Sequence, residues 1–429
     1  MAAPRPIVLL VDASNFFVSC ERVFDPSLCG VPVVVLSNND GCIVSRSDEA
    51  KRAGIPMGAP YFKVRDRLAA IGARVFSSNY ALYAEMSRRM METVAPFAAD
   101  MEVSSIDEAF LTVPAVGSKA LRALAGQIHE RVARWTHIPV RVGVATTRTL
   151  AKAASELAKG SDPPVRLLRS DDPALGSFPV RDVWGIGPRL AARLFVLGIT
   201  TAADLRDASD VRLRTVLSVT GRRTALELRG VPCIGADRGG LAHDPAARIH
   251  RHSLIRSRSF GRAVTERADL GEALAMHAAR TAEKLRAEGL VARVLTGFAT
   301  TGVHTDTPRH GAVDLPFEAP TDATADFVQA ARAAADRLFE SGVRYKKAGV
   351  VVTGLSPKAA TPGHLFVPDD PRRAPFHDAL DGLNRRYGRE TVRVASSGTL
   401  RPWAMQRARL GADGLRAWGD PVAMARVRL

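Results

Sequence analysis

Cysteine is scarce in this sequence, with four among 429 residues, and no two of them form a Cys-x-x-Cys pair. The scarcity argues against a disulfide scaffold, and the spacing argues against a zinc knuckle or a redox-active pair. Long apolar runs are also missing, since those at 7–11 and 31–36 fall far short of the roughly 20 residues that span a bilayer. The first run stops at Asp12, too early for a signal-peptide core. We therefore expect a soluble, unexported protein with reduced thiols and no membrane contact.

Acidic residues are in short supply, because 60 lysines and arginines face 44 aspartates and glutamates, for a net charge of +16. The imbalance lies late in the chain. Residues 1–110 hold 11 basic and 13 acidic residues, and residues 111–429 hold the other 49 and 31. The excess of positive charge in residues 111–429 predicts that the later domains bind a polyanion such as nucleic acid. The acids of residues 1–110 are then expected to have a different role. The alternative is a compositional arginine bias with no partner.

Hydrophobic periodicity predicts alternating strands and helices through the first 165 residues, which is typical of a mixed α/β layer. The run at 7–11 is apolar throughout, as in a strand buried on both faces. Helices are predicted at 80–94 and 147–159. The strand that follows 101 is interrupted by the polar pair in Ile-Asp-Glu-Ala-Phe.

The later chain predicts further domains and a tail. Residues 180–230 are predicted to form short helices separated by glycines. Residues 250–355 follow the order β-α-β-β-α-β of a split βαβ domain, and Asp269 is expected to cap its first helix. The proline- and arginine-rich remainder, 356–429, predicts a tail with one short helix at 376–387.

Three acids stand where charge is costly. Asp12 ends a buried apolar strand, and Asp107 and Glu108 interrupt another. Two carboxylates ~4 Å apart repel by about 4 kcal/mol at an effective dielectric near 20, and no lysine or arginine lies within five residues of Asp107. A divalent cation would cancel that repulsion, and oxygen ligands without histidine or cysteine suit Mg²⁺ or Mn²⁺.

An ordinary structural role is the alternative for these acids. Asp12 would cap the turn after the first strand, and Asp107 and Glu108 would form a solvated hairpin tip. Neighbours in a regular strand point to opposite faces. Asp107 and Glu108 can therefore converge only if a turn or bulge breaks the alternation.

Six stretches of the sequence carry a resemblance to a known family. They are V-D-A-S-N-F-F-V-S-C-E, V-V-V-L-S-N-N-D-G-C-I-V-S-R-S-D-E-A-K, F-S-S-N-Y-A-L-Y-A-E-M-S, S-S-I-D-E-A-F, T-L-A-K and D-V-W-G-I-G. Together they resemble the Y-family translesion DNA polymerases, and within that family the UmuC branch, the catalytic subunits of bacterial DNA polymerase V. The resemblance runs from about 7 to 355, with a weaker match in the tail.

The resemblance implies an α+β multidomain fold, the Y-family right hand. It would have a ferredoxin-like palm, small fingers, a helical thumb with a helix-hairpin-helix, and a split-βαβ little finger. The implied bounds are palm 1–15 and 80–165, fingers 16–79, thumb 166–236, linker 237–249, little finger 250–355 and a UmuC-type tail 356–429.

The resemblance also implies roles for the acids. Asp12, Asp107 and Glu108 would hold two Mg²⁺ ions, with Mn²⁺ as a substitute and the backbone carbonyl of Ala13 as a further ligand. Phe17 would be the steric gate, an aromatic ring that excludes a 2′-hydroxyl at a position where UmuC has tyrosine.

Other nucleotide contacts follow in the same way. Phe16 stands beside the gate position, and the backbone amides near it would face the triphosphate. Lys159 would reach the triphosphate, and Lys51 would neutralise phosphate as a point charge. Arg46 is a hypothetical compensating group, because Asp48 occupies a position where many members carry tyrosine or arginine. A solvated lysine face is the alternative for Lys159.

Two sets of residues are expected to bind DNA. In V-W-G-I-G-P-R-L-A-A-R-L, Gly185 and Gly187 permit a tight hairpin whose amides approach a phosphate, and Arg189 and Arg193 follow at helical spacing. A simple helix connector is the alternative. In the second set, Arg256 and Arg258 share one face of a predicted strand and are expected to bind backbone phosphate without reading bases. The alternative is a solvated basic edge strand.

The sequence therefore predicts an error-prone polymerase of the DNA damage (SOS) response, cytoplasmic and nucleoid-associated, that binds primer-template DNA and dNTPs. The resemblance implies a UmuD′ dimer and a RecA filament as partners. T-P-G-H-L-F keeps Leu365 and Phe366 of a sliding-clamp motif but has Pro362 where glutamine would stand, which argues against clamp binding. The alternatives are a nucleotidyl cyclase and a non-catalytic DNA-binding scaffold.

Overall fold

The computed structural model forms two units. It describes residues 6–234, 252–302, 307–362, 370–388, 390–398 and 400–411. The first unit comprises Met1–Ser37, Gly41–His243 and Arg409–Leu429, and the second comprises Asn38–Asp40 and Asp244–Ala408. The linker predicted at 237–249 lies outside the described residues, as do Leu365 and Phe366 of the clamp-like motif.

The first unit alternates strands and helices as predicted. Its strands are β1 (Ile7–Ala13), β2 (Val33–Leu36), β3 (Ile43–Arg46), β4 (Arg74–Ser77), β5 (Asp100–Val103), β6 (Glu108–Val113), β7 (Val140–Ala145) and β8 (Val165–Leu167). Its helices are α1 (Phe16–Phe24), α2 (Asp48–Arg52), α3 (Tyr61–Ala70), α4 (Tyr80–Val94), α5 (Ser118–Thr136), α6 (Arg148–Leu157), α7 (Pro188–Val196), α8 (Ala202–Asp207), α9 (Asp210–Arg214) and α10 (Val219–Leu228).

The main sheet of this unit has the order β5-β6-β1-β7-β8, with β1 at its centre and antiparallel to both neighbours. Its apolar residues are buried on both faces, as the run at 7–11 predicts. Leu9 and Val11 join one core with α4 and α5, whereas Leu10 joins a second core with α6 and α7. The two-residue period of a strand thus divides one continuous apolar run between two cores.

A smaller sheet lies between α1 and α4 in the chain. Its order is β3-β2-β4, and β2 is paired in parallel with β4. Its small apolar core includes Val34, Ile43 and Leu68. The helices α7 to α10 follow the main sheet and build on the second core.

The second unit confirms the predicted β-α-β-β-α-β order. It contains β9 (Ser253–Val264), α11 (Arg267–Ala287), β10 (Leu290–Thr300), β11 (His310–Thr321), α12 (Thr324–Leu338), β12 (Tyr345–Thr353), β13 (Ser356–Pro357) and α13 (Arg373–Tyr387). The sheet order is β11-β10-β12-β9, all antiparallel, and α11 and α12 supply its apolar core.

The predicted cap at Asp269 is wrong. The residue at the N-cap of α11 is Glu266, and Asp269 lies in the first turn of the helix. A carboxylate in the first turn is still favoured by the helix dipole.

The tail packs on the second unit through α13. The Arg286 guanidinium donates to both carboxylate oxygens of Asp381, at 2.7 and 2.8 Å, and the two side chains are only 10% and 14% exposed. Asn384 of α13 exchanges two hydrogen bonds of 2.9 and 3.0 Å with the backbone of Val392, which follows the helix. Trp403 is buried against Phe260 with ring centroids 6.0 Å apart. The chain from α13 to Trp403 is thus a packed part of this unit.

We expect Asp381→Ala to lower the free energy of unfolding by about 3 kcal/mol, because it leaves a buried guanidinium without its carboxylate. Urea unfolding of the full chain measures the loss. The matched control is Asp370→Ala, whose bridge to Arg372 is largely exposed. Equal losses in the two variants would show that the Arg286 pair does not hold α13.

Candidate active site

Strand pairing places the three acids side by side. Asp12 is directly opposite Glu108 in the β1–β6 pair, and the Ala13 amide donates to the carbonyl of Asp107 at 2.9 Å. Directly opposite residues of an antiparallel pair have Cα atoms about 4.5–5.5 Å apart. Asp107 precedes β6 in a bend at 105–107, so the alternation of a regular strand does not separate it from Glu108.

Two basic side chains from elsewhere in the chain contact these carboxylates. Arg141 of β7 donates to Asp12 Oδ1 at 2.9 Å, and Lys152 of α6 donates to Glu108 Oε1 at 3.0 Å. Both are mostly buried, with side-chain exposures of 13% and 21%. Sequence reasoning missed both as partners of the acids. An arginine inside the apolar strand Val-Arg-Val-Gly-Val was the available signal.

Two serine hydroxyls also donate to these acids, and one of them shares Glu108 Oε1 with Lys152. Ser105 Oγ donates to Asp107 Oδ1 at 2.5 Å, and Ser104 Oγ donates to Glu108 Oε1 at 3.0 Å. Burial raises the pKa of Asp12 above its ordinary value, Arg141 opposes that rise, and the charges of Asp107 and Glu108 add to it. Burial is thus the main reason that the charged form of Asp12 is disfavoured, and the two neighbouring acids add to this effect.

The cationic side of the site extends to Lys159. Arg141 Nη1 lies 3.4 Å from Glu156 Oε2, and Glu156 also pairs with Lys159. The predicted helix 147–159 is too long, since α6 ends at Leu157 and Lys159 follows it. Lys159 is about half exposed. A chain of alternating charges thus connects the first acid with Lys159.

The two phenylalanines after β1 have different surroundings. Phe16 is 3% exposed and belongs to the first core, whereas Phe17 is half-buried. The Phe17 ring stacks on Tyr83 with centroids 4.5 Å apart and planes 14° apart, and Tyr80 meets it edge-on at 6.1 Å. Of the pair, only Phe17 keeps appreciable exposure.

A buried carboxyl lies behind that stack. Glu21 is 3% exposed and accepts a 2.7 Å hydrogen bond from the hydroxyl of Tyr83. Burial raises the pKa of Glu21 to about 6, although the Tyr83 hydrogen bond opposes the rise. Sequence reasoning missed Glu21, whose signal was an acid within the apolar helix that carries Phe17.

Lys51 reaches the start of α1. Its ammonium donates to Asn15 Oδ1 at 2.6 Å and to Asp48 Oδ1 at 2.9 Å, and Asn15 Nδ2 donates to Asp48 at 3.1 Å. The hydrogen bond from Lys51 lowers the pKa of Asp48. Arg46 has a different partner, because its guanidinium donates to the backbone carbonyl of Ile55.

The donor set has the chemistry of a hard-cation site. Asp12, Asp107, Glu108 and the carbonyl of Ala13 offer oxygen only, and the charges of Asp107 and Glu108 add to the effect of burial in raising the pKa of Asp12. Within the ranges that the structure describes, no three acidic, histidine or cysteine side chains are grouped as metal ligands. Arg141 and Lys152 instead engage one oxygen each of Asp12 and Glu108.

The glycine pair of the predicted hairpin opens α7. Gly185 has φ +86°, a conformation that side chains rarely adopt, and Gly187 is the N-cap of the helix. Arg189 and Arg193 are exposed on α7 and lie four residues apart, hence on one face. Trp184 packs under Lys152, whose ammonium is 4.7 Å from the ring centroid. The hairpin therefore adjoins the acidic site through Lys152.

Arg256 and Arg258 lie on β9, one of the two edge strands in the sheet of the second unit. They share a face of the strand as predicted, and by alternation it is the face of the buried Leu254 and Phe260. Burial foremost, and then the charges of both arginines, lower the pKa of His277 in α11 to about 3. The two arginines thus lie near α11, and Arg258 is the more exposed.

Comparison with known proteins identifies the family. The impB/mucB/samB family model matches residues 11–156, and the model of its C-terminal domain matches 251–365. UmuC of Salmonella typhimurium LT2 is 39% identical over 412 residues, which cover 94% of this chain and 96% of that protein. The chain belongs to the UmuC group of the Y-family DNA polymerases. By family it is a DNA-directed DNA polymerase.

Further matches agree with this assignment. ImpB of Salmonella typhimurium is 37% identical, over 97% of this chain and 99% of that protein. The family's helix-hairpin-helix model covers residues 173–199, and a domain of unknown function covers 375–412. The predicted hairpin is confirmed as that motif.

Solved structures confirm the predicted fold class. A Y-family DNA polymerase chimera of Dbh and Dpo4 matches with a TM-score of 0.62 at 20% identity, over 81% of this chain and 98% of that chain. An insertion ternary complex of Dbh DNA polymerase matches with a TM-score of 0.54 over the same shares. Among the described residues, none of the helices combines the length and the apolar character needed to cross a membrane.

The buried Glu21 generates a pH-dependent prediction. Its pKa of about 6 in the folded chain exceeds the ordinary value of 4.5, so its contribution to stability is fully present below pH 4.5 and is lost as the pH rises through 6. Between pH 4.5 and 7, the free energy of unfolding of the wild type should fall by about 2 kcal/mol more than that of Glu21→Gln. Parallel pH profiles for the two proteins would contradict the assignment. Urea unfolding at each pH provides the measurement.

Proposed function

We propose that this chain is an error-prone, proofreading-free translesion polymerase, which extends a primer 3′ end with dNTPs by two-metal phosphoryl transfer in the DNA damage (SOS) response. The observation that carries the proposal is the register of β1 on β6, which sets Asp12 opposite Glu108 and beside Asp107. Similarity to UmuC over 94% of the chain supports the biological setting.

The catalytic centre would be formed by Asp12, Asp107 and Glu108, with the Ala13 carbonyl as a fourth ligand to two Mg²⁺ ions, or Mn²⁺ in their place. Bound ions would supply a more acidic primer 3′-hydroxyl and would neutralise the triphosphate and the leaving pyrophosphate. The chain's own residues supply position. Arg141 holds one oxygen of Asp12 and Lys152 holds one oxygen of Glu108, and carboxylates oriented in this way would lower the barrier through position and charge placement.

The nucleotide would lie over Phe17. Its ring, backed by Tyr83, would occupy the space of a ribose 2′-hydroxyl and select dNTPs. Lys159 and Lys51 would donate to the triphosphate, and the amides near Phe16 would face it, although the Phe16 side chain is core. Arg46 is the weaker candidate for a phosphate contact, because its guanidinium already donates a hydrogen bond to the backbone carbonyl of Ile55.

Primer-template DNA would be held by its phosphates. The amides at Gly185 and Gly187, with the exposed Arg189 and Arg193, form the hairpin contact. Arg258 is the better candidate on β9, since Arg256 is half-buried on the side of α11. Contacts of this type bind DNA without reading its sequence, as a polymerase that moves along a template requires.

Because this chain is similar to UmuC, its proposed protein partners are a UmuD′ dimer and a RecA filament. Its proposed location is the cytoplasm, at the nucleoid. Sliding-clamp binding is not proposed, given Pro362 at the glutamine position. The hairpin motif at 173–199 and the basic later domains favour a polymerase over a nucleotidyl cyclase, which needs neither.

Asp107→Ala should greatly slow primer extension. Loss of one of the three acids should slow Mg²⁺-dependent dNTP addition by about a thousandfold, or about 4 kcal/mol of transition-state stabilisation, while DNA affinity stays the same. Single-turnover extension and fluorescence anisotropy measure the two effects. The control is Asp100→Ala, an exposed acid of β5. A non-catalytic scaffold would instead retain its biological activity after Asp107→Ala.

The double variant Arg189→Ala/Arg193→Ala should weaken DNA binding equally on unrelated sequences. Each phosphate contact that is lost should reduce the slope of log affinity against log salt by about 1. Anisotropy titrations at several salt concentrations measure the slope. Arg65→Ala/Arg169→Ala, which removes two other exposed arginines, is the charge-matched control. An unchanged slope in the hairpin variant would remove these arginines from the DNA interface.

A further inference from the structure

The last described residues of the chain return to the first unit, at the end of β4. The Ser77 amide donates to the carbonyl of Arg409 at 2.7 Å, and the Arg409 amide donates to Ser77 Oγ at 2.9 Å. The Arg409 guanidinium lies over the Tyr61 ring, 4.8 Å from its centroid. Residues 409–411 are therefore anchored by backbone, side-chain and cation–π contacts within this unit.

The anchored segment covers the buried carboxyl of Glu21. A Cβ placed on Gly411 would lie 2.3 Å from Glu21 Oε2 and 3.2 Å from a ring carbon of Phe76. A side chain at this position would therefore require the Glu21 carboxylate to shift. Glu21 thus has one oxygen, Oε1, bonded to Tyr83 and the other, Oε2, against the backbone of Gly411.

Glu21 in turn determines where the Tyr83 ring lies. Tyr83 is fully buried, and the 2.7 Å bond from its hydroxyl to Glu21 ties down the end of its ring. The flat side of that ring supports Phe17 in a stack with centroids 4.5 Å apart. A close-packed stack transmits small displacements, because its rings have no free space in which to move independently. A shift of Glu21 would therefore tilt the Tyr83 ring and, through the stack, the Phe17 ring.

We propose that residues 409–411 position Phe17 through Glu21 and Tyr83, and thereby take part in the discrimination between deoxyribonucleotides and ribonucleotides. Gly411, Glu21 and Tyr83 are positioning residues, since none of them needs to touch the nucleotide. The proposal rests on the proposed role of Phe17 as steric gate. It gives a function to the end of the 375–412 segment, whose family model carries none.

The test measures the ratio of kcat/KM for a dNTP to that for the matching rNTP in primer extension by the full chain. Gly411→Ala and Tyr83→Phe should each lower this ratio about three- to tenfold, the range that corresponds to one lost buried hydrogen bond. Glu21→Gln keeps an oxygen acceptor for Tyr83 and should keep a ratio near that of the wild type. Glu21→Leu removes the acceptor and should lower the ratio as much as Tyr83→Phe does. A role in stability alone would lower both efficiencies together and leave the ratio unchanged.

Two matched variants control for the chemical change itself. Gly382→Ala adds a methyl group where no atom lies within 4 Å, and Tyr345→Phe removes another buried tyrosine hydroxyl, which donates to Leu338 O at 2.6 Å. Both should keep the wild-type ratio. Thermal unfolding of every variant identifies any that fails to fold, and in that case Arg409→Ala, which removes the contact with Tyr61, takes its place.

Phe17→Ala separates the proposal from its premise. Suppose that Phe17→Ala strongly lowers the ratio while Gly411→Ala and Tyr83→Phe leave it at the wild-type value. The positioning proposal is then wrong, and the role of Phe17 as steric gate is retained. If Phe17→Ala also leaves the ratio unchanged while extension persists, Phe17 is not the gate and the proposal is overturned with it. If the wild-type chain does not extend a primer at all, the proposed function is refuted instead.

Discussion

The pairing of β1 with β6 is the constraint on which the rest of this structure depends. It sets Asp12 opposite Glu108 at the centre of a sheet, where carboxylates repel one another and are poorly solvated. The fold brings Arg141 from one neighbouring strand and Lys152 from a covering helix to these acids. The position of β7 and α6 is thus an electrostatic requirement as well as a matter of packing.

The sites around this centre are joined by direct contacts. Lys152 bridges Glu108 and the ring of Trp184, which begins the hairpin. Lys51 and Asn15 connect the small sheet with the start of α1, and Phe17 follows two residues later. The proposed catalytic site and the proposed DNA-binding hairpin are therefore in direct contact through Lys152, and the proposed steric gate, Phe17, lies on the helix that follows β1.

Much of this could be predicted from the sequence, because local pattern determines it. Apolar runs indicated β1 and β2, helical spacing indicated α4, and ordered motifs indicated the fold class and the three acids. What failed depends on distant contacts. Arg141 lies 129 residues from Asp12 along the chain, so a search near the acids could not find it. The bend before Glu108 is also a tertiary feature, because the same letters could continue a strand.

The tail was the hardest part to predict, since its sequence is weakly patterned. The helix at 376–387 was expected, yet nothing in the letters indicated that Trp403 would be buried or that Gly411 would lie against Glu21. A glycine contributes nothing to a hydrophobic periodicity. The role of Gly411 is that it has no side chain, so the Glu21 carboxylate can lie next to its backbone. The domain bounds and the roles of the individual site residues remain predictions.

The pairs of Arg141 with Asp12 and Lys152 with Glu108 have a consequence for biosynthesis. Both acids and both bases lie within the first 152 residues of the chain. The ribosome therefore supplies every member of these two ion pairs before it makes α7 to α10 or the strands and helices of the second unit. From that point the nascent chain carries its own counter-charges for Asp12 and Glu108.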